Sequence, residues 1–182
     1  MYRLLLSFSL LIFSIIGTSQ KYTPADAGSK VHFVIRNFGI KTGGGLSGLK
    51  GIINFVPSNL DLCNSNVSVD VSSIDTDNGM RDKDLKGEKY FNLEKYPVIT
   101  IKSTKINKTN KTDKGWYNFT GNLTIRGVTK TISFPFTATS QGNDYLFVGG
   151  FEINRLDFGV GKNSSVLSNT VKVSLSVLAR KT

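Results

Sequence analysis

Along most of the chain, apolar and polar positions alternate with a period of two. Val31, Phe33 and Ile35 alternate with His32, Val34 and Arg36, and Val67, Val69 and Val71 alternate with Ser68, Asp70 and Ser72. Successive side chains on a strand point to opposite faces, so this period predicts strands with one buried face. The clearest hairpin sets Tyr117, Phe119, Gly121, Leu123 and Ile125 against Ile132, Phe134, Phe136 and Ala138, with Arg126-Gly127 as the turn. A second turn at Gln141-Gly142-Asn143-Asp144 leads into Tyr145, Phe147, Gly149, Phe151 and Ile153. After an irregular stretch from Asp157 to Asn169, Val171, Val173, Leu175 and Val177 form one face of the last strand.

Three segments break the alternation. Gly43-Gly44-Gly45 and Gly48 read as an approach to a strand carrying Gly51, Ile53 and Phe55, with Pro57 at its end. Glycine within a strand pattern marks a bulge, a bend or a close approach. From Asp75 to Pro97 the period is lost, and Met80 to Lys86 reads as a short helix or turn before the pattern resumes at Val98, Ile99 and Ile101. Asn107 to Lys114 reads as an exposed hairpin loop. About eight short strands with one non-β interlude predict an all-β domain, either a sandwich or a closed antiparallel barrel.

The first residues change the picture of where such a domain works. Met1-Tyr2-Arg3 is a short basic start, Leu4 to Ile16 holds only apolar residues and serine, and Gly17-Thr18-Ser19 offers small residues before Gln20. That is the three-part pattern of a secretory signal peptide, predicting a leader over residues 1–19, a domain over 20–182, and a periplasmic or secreted protein. The apolar run is short for the roughly 30 Å of a bilayer core. A porin-like barrel is disfavoured by short apolar faces and the lack of paired aromatic girdles.

Composition bears on partners and chemistry. The chain has 23 Lys and Arg against 13 Asp and Glu, a formal charge of +10. That excess suits an anionic lipid headgroup or transient contact with an anionic membrane surface, and equally a merely solvated surface. Export and the absence of a recognition motif argue against nucleic acid. One cysteine, Cys63, precludes an internal disulfide and reads as a small buried hydrophobe. With one histidine, His32, on the parity opposite to Phe33, neither a zinc site nor a catalytic set is supported. Asp75, Asp77, Asp82 and Asp84 do not match a calcium loop, because Met80 and Lys86 fall where glycine and glutamate are required. The sequence predicts neither an enzyme nor a cofactor.

The inward parity is rich in rings: Phe33, Phe55, Phe119, Phe134, Phe136, Phe147 and Phe151. Periodicity alone leaves two readings open, a packed core or an aromatic-lined cavity.

Ser29-Lys30-Val31-His32-Phe33, the segment Ser73-Ile74-Asp75-Thr76 with Arg81-Asp82-Lys83-Asp84-Leu85, Tyr90-Phe91 and Tyr96-Pro97, and the run Gly121 to Lys130 occur in order. With Arg155 and Asp157-Phe158-Gly159 they resemble the YceI-like family of exported bacterial proteins that bind lipids or polyisoprenoids. The resemblance implies an elongated, eight-stranded, antiparallel, lipocalin-like β-barrel with one short helical or loop insertion, holding an isoprenoid chain such as a polyprenyl phosphate or a quinone-like lipid. It shifts the aromatic face toward a cavity, with Phe33, Ile35, Phe55, Phe119, Leu123, Phe134, Phe136 and Phe151 as its expected lining. Arg81, Arg126, Lys130 and Arg155 are the candidates for a charged headgroup, although Arg81 reads first as a structural residue that pairs with Asp82 or Asp75 or caps loop carbonyls, and Arg126 and Lys130 flank a tight turn. Asn37 stands near one place, and Lys83 or Asp84 at another, where many family members carry histidine. A packed barrel serving as a stress-response or interaction module is the first alternative, an isomerase-type enzyme acting on a bound lipid the second, and an exposed edge or groove would suit a homodimer.

Overall fold

A computed structural model describes residues 20–109 and 115–182; the expected leader over residues 1–19 and part of the expected Asn107 to Lys114 loop lie outside the described residues. The alternating segments become nine strands: β1 (Lys21–Asn37), β2 (Ile40–Leu46), β3 (Lys50–Asn54), β4 (Asn64–Asp70), β5 (Val98–Lys108), β6 (Trp116–Ile125), β7 (Val128–Gln141), β8 (Asp144–Asn154) and β9 (Leu167–Lys181). All pairings are antiparallel. Eight strands run in the order β1-β3-β4-β5-β6-β7-β8-β9, and β9 pairs back onto β1 from Tyr22↔Lys181 to Asn37↔Leu167. This is a closed eight-stranded antiparallel barrel, in which every ring strand has two neighbours and no edge is left within the ring.

The ninth strand, β2, is where the sequence reading falls short. The glycine run is a strand rather than an approach: Val31↔Leu46 through Asn37↔Ile40 pair it with the second half of β1, while Lys21 and Tyr22 at the start of β1 pair with β3. A register shift between Ala25 and Lys30 bends β1 and lets it serve both partners. Ser29 Oγ accepts the Leu178 N–H across that bulge at 2.8 Å. Glycine is required because of crowding. A Cβ on Gly44 would lie 2.5 Å from the Asp75 carbonyl oxygen and 2.6 Å from Thr76 Cγ2. A two-bond bridge between Gly45 and Asp75 ties β2 to the segment after β4.

Helix α1 (Gly79–Lys86) is the only α-helix among the described residues. Asn78 caps it by accepting the Arg81 N–H at 3.0 Å, which satisfies one of the first-turn donors. It buries no residue, so its position depends on the loop contacts rather than on an apolar face. At Arg126-Gly127 both residues have positive φ, 52° and 75°, the geometry of a two-residue hairpin turn that follows strand twist.

Burial follows the expected parity. Tyr117, Phe119, Gly121, Leu123 and Ile125 are all buried on β6, and every residue between them is less so. On β5 a register shift between Ser103 and Lys105 changes the parity, so Ile101 and Ile106 both face inward. Cys63 is buried; its Sγ accepts the Val56 N–H at 3.1 Å, and burial pushes its thiol pKa up.

Candidate functional site

The barrel holds a cavity of about 840 Å³, within the usual range for a small-molecule site. All eight residues expected from the sequence line it: Phe33, Ile35, Phe55, Phe119, Leu123, Phe134, Phe136 and Phe151. Seven come from inward strand positions and Phe55 from the residue just after β3, so most of the wall is a consequence of period two. The two readings of the aromatic face turn out to describe two parts of one interior.

At the end where β1 begins, the rings pack solidly. Phe55 has its centroid 5.2 Å from Tyr117, 5.1 Å from Tyr145 and 5.2 Å from Phe147, all edge-on. Tyr22 meets Tyr145 edge-on at 5.4 Å, and its hydroxyl donates to Gln20 Oε1 at 2.7 Å. Edge-to-face contacts suit the ring quadrupole and add to area burial. Burial raises the pKa of Tyr22 and Tyr117, since the phenolate would lose its water. Phe55, Phe136 and Phe147 line the cavity and pack against Tyr117 and Tyr145, which do not, so they form its floor. Farther along, Phe119 stacks on Phe134 at 4.9 Å, and Phe134 meets Phe151 at 5.0 Å.

The opposite end is polar. Arg81, Asp84, Lys89, Lys162, Asn163 and Ser164 line the cavity there, contributed by α1, the turn after it and the loop before β9. Most are exposed, which marks this end as the mouth. Arg81 does not pair with a carboxylate: its Nε donates to Thr76 Oγ1 at 2.8 Å and its Nη2 to the Thr76 carbonyl. Asp82 in turn accepts the Thr76 N–H at 3.0 Å, so the acidic cluster serves turn and cap bonds.

Arg155 also lines the cavity, yet its donors are taken. Nε donates to the Ser168 carbonyl at 2.9 Å, Nη1 to Val160 at 2.8 Å, and Nη2 to Lys162 at 2.8 Å and Asn169 Oδ1 at 3.0 Å. Burial pulls its pKa below the ordinary guanidinium value, although it remains a cation. Its role in the fold is to hold the mouth loop in one shape. Arg126 and Lys130 stand off the cavity wall; Arg126 Nη1 donates to the Gly159 carbonyl, and Lys130 is exposed.

Several wall residues were not singled out from the sequence. Val173, Leu175 and Val177 were recognisable by parity alone, whereas Thr76, Met80, Tyr90 and Phe91 lie on segments with no period to reveal them. Gly149 also lines the wall, where a Cβ would sit 3.0 Å from Phe136 Cβ, so glycine keeps that level of the cavity wide.

Residues 22–179 match the YceI-like domain. A UPF0312 protein of Yersinia pestis (strain Pestoides F) is 30% identical over 182 residues, covering 94% of this chain and 93% of that one. Among solved structures, BcnA of Burkholderia cenocepacia superposes with a TM-score of 0.79 at 26% identity, over 85% of this chain and 98% of BcnA. A polyisoprenoid binding domain from Saccharophagus degradans, implicated in plant cell wall breakdown, superposes with a TM-score of 0.71 at 15% identity, over 88% and 98%. At that identity the likeness is one of fold. The chain belongs to the YceI-like family.

Proposed function

Starting from a YceI-like barrel with one apolar cavity, we propose that the protein binds a single long apolar lipid, isoprenoid-like in character, and acts as a non-enzymatic carrier or buffer. The observation that carries this reading is the cavity of about 840 Å³, which runs from a floor of aromatic rings to a polar mouth. Each methylene removed from water is worth about 0.8 kcal/mol, so a long chain is held by shape and apolarity without any reactive group. The tail lies against Phe55, Phe136 and Phe147, and the headgroup stays at the mouth near Arg81, Lys89 and Lys162. A polyprenyl phosphate or a quinone-like lipid fits that division. The polyisoprenoid-binding Saccharophagus degradans domain, of the same fold, supports the choice of ligand class.

The non-enzymatic part of the reading rests on what the polar groups near the cavity already do. Arg81 and Arg155 donate to backbone carbonyls and Asp82 accepts the Thr76 N–H, while His32, which also borders the cavity, is exposed on the opposite parity of β1 to Phe33. The working place is outside the cytoplasm, periplasmic or secreted, after removal of residues 1–19. Native mass spectrometry of the protein purified from its own host, with lipid extraction, tests this reading. A stoichiometric adduct that yields an isoprenoid is expected. A bare protein that also refuses polyprenyl phosphates, quinones and fatty acids would leave the interaction-module reading in its place.

A further inference from the structure

Among the described residues, the three most exposed large apolar side chains are Phe38 (72%), Ile40 (71%) and Met80 (81%), and all stand at the mouth end. Phe38 and Gly39 form the two-residue turn between β1 and β2, with φ of 48° and 75°. That turn ordinarily takes Asn-Gly, and a left-handed backbone is rare for a bulky residue. Phe38 thus adopts an unfavourable conformation while its ring stands in water. Its backbone N–H donates to the Val166 carbonyl at 2.9 Å, which fastens the hairpin tip to the mouth loop. Val166 is itself exposed, and both Val166 and Asn37 line the cavity. Phe38, Ile40 and Val166 therefore make an apolar tip continuous with the entrance.

The chain segments that form this tip carry charge of one sign. Arg36 and Lys41 pair across the hairpin directly behind it, and Lys162 lies on the adjoining loop. No Asp or Glu occurs from residue 27 to 60 or from 158 to the C-terminus. The other side of the mouth, at α1, mixes both signs.

We propose that this tip docks the cavity mouth on an anionic lipid bilayer. Phe38 and Ile40 enter the boundary between headgroups and acyl chains, and Arg36, Lys41 and Lys162 meet the anionic headgroups. A bound chain then passes between bilayer and cavity without crossing water. The purpose of docking rests on the lipid-carrier reading, but docking is measured independently of it.

Vesicle flotation tests the proposal with two compositions, phosphatidylcholine alone and phosphatidylcholine mixed with phosphatidylglycerol. The protein is expected to float with the mixed vesicles, to bind the neutral ones more weakly, and to be released by high salt. The double variant Phe38→Asn, Ile40→Ser keeps a residue suited to the turn, so the hairpin is retained. It is expected to lose about tenfold in vesicle affinity. Arg36→Ser with Lys41→Ser is expected to remove the preference for anionic vesicles. Both variants are expected to stay folded and to take up a short-chain prenyl phosphate from solution as the wild type does. The first is expected to unfold at or above the wild-type midpoint because Asn suits the turn, the second slightly below it because Arg36 Nη1 donates to the Gly39 carbonyl at 3.0 Å. Failure of the wild type to float with either composition, or equal flotation of the Phe38→Asn, Ile40→Ser variant, overturns the proposal. So does a dimer that this variant abolishes, which would assign the tip to a second copy of the chain. Flotation by a protein that takes up no lipid leaves docking standing and removes the carrier reading.

Discussion

At the floor of the barrel, Phe55 is 1% exposed and touches three rings whose centroids lie 5.1–5.2 Å away; at the mouth, Arg155 is 3% exposed and spends its guanidinium on carbonyls of the mouth loop and the start of β9. Both residues are buried, and both fix the shape of one end of the cavity, yet by opposite means. Ring packing is short-ranged and apolar, so the floor excludes water and needs no partner. Hydrogen bonds are directional, so Arg155 can fold a polar loop of glycine, asparagine and serine into a fixed rim that stays wet. A lipid with an apolar tail and a polar head matches that division.

The comparison can be broken most forcefully at the floor. Phe55→Ala leaves a hole among Tyr117, Tyr145 and Phe147 and is expected to cost about 4 kcal/mol of stability, read from denaturant unfolding. A loss below about 1 kcal/mol would mean that the rings do not form a cooperative plug. Arg155→Met removes the clamp with little change in volume and is expected to cost about 3 kcal/mol, because several buried carbonyls lose charged donors. Hydrogen exchange should then quicken in residues 160–169 and leave Tyr117 and Phe119 protected. Equal quickening at both ends would erase the distinction drawn here.

Between the two ends, Val173→Trp places an indole opposite Phe33 and Phe151, the strand neighbours with which Val173 is in register. It fills existing space, so the expected loss is in lipid uptake, about tenfold, with stability changed by less than about 2 kcal/mol. Retained uptake would place the lipid outside the barrel.

The floor was far more legible in the sequence than the mouth. Tyr117, Phe136, Tyr145 and Phe147 declare their side by parity, because strand periodicity is a local property written in consecutive residues. The resemblance of the 73–97 and 121–130 segments to a family added the closed barrel, which parity alone left undecided. β2 was hidden because three of its seven residues are glycine, needed for close approach to Asp75 and Thr76 and carrying no side-chain pattern. The structural role of Arg81 was among the readings its sequence allowed, but that of Arg155 was hidden because most of its acceptors are backbone carbonyls, which every residue type presents equally. An unpaired cation in a sequence therefore looks the same whether it awaits a headgroup or already holds a loop.

The smallest effect is expected at Asp70, near the mouth end of β4. Its carboxylate accepts the Ser72 N–H at 2.7 Å, and the bonds from Ser72 hold its pKa below the usual carboxylate value. A lowered folded-state pKa stabilises the fold fully above the unfolded value near pH 4, and that contribution is lost as pH falls through the lowered one. Asp70→Asn should therefore flatten the acid limb of the stability profile below about pH 4 and alter little at neutral pH. At the floor the sign is reversed: the raised pKa of Tyr22 and Tyr117 predicts stability lost as pH rises beyond the ordinary tyrosine value of about 10.

The orientation of a bound chain tests the account most directly. Two spin-labelled fatty acids, one labelled at the tail and one beside the carboxylate, would be added in turn while amide relaxation is read by NMR. The account predicts that the tail label broadens Phe55, Tyr117 and Phe136, and that the headgroup label broadens Arg81, Lys89 and Lys162. The same broadening from both labels, or broadening confined to residues outside the cavity wall, would contradict it.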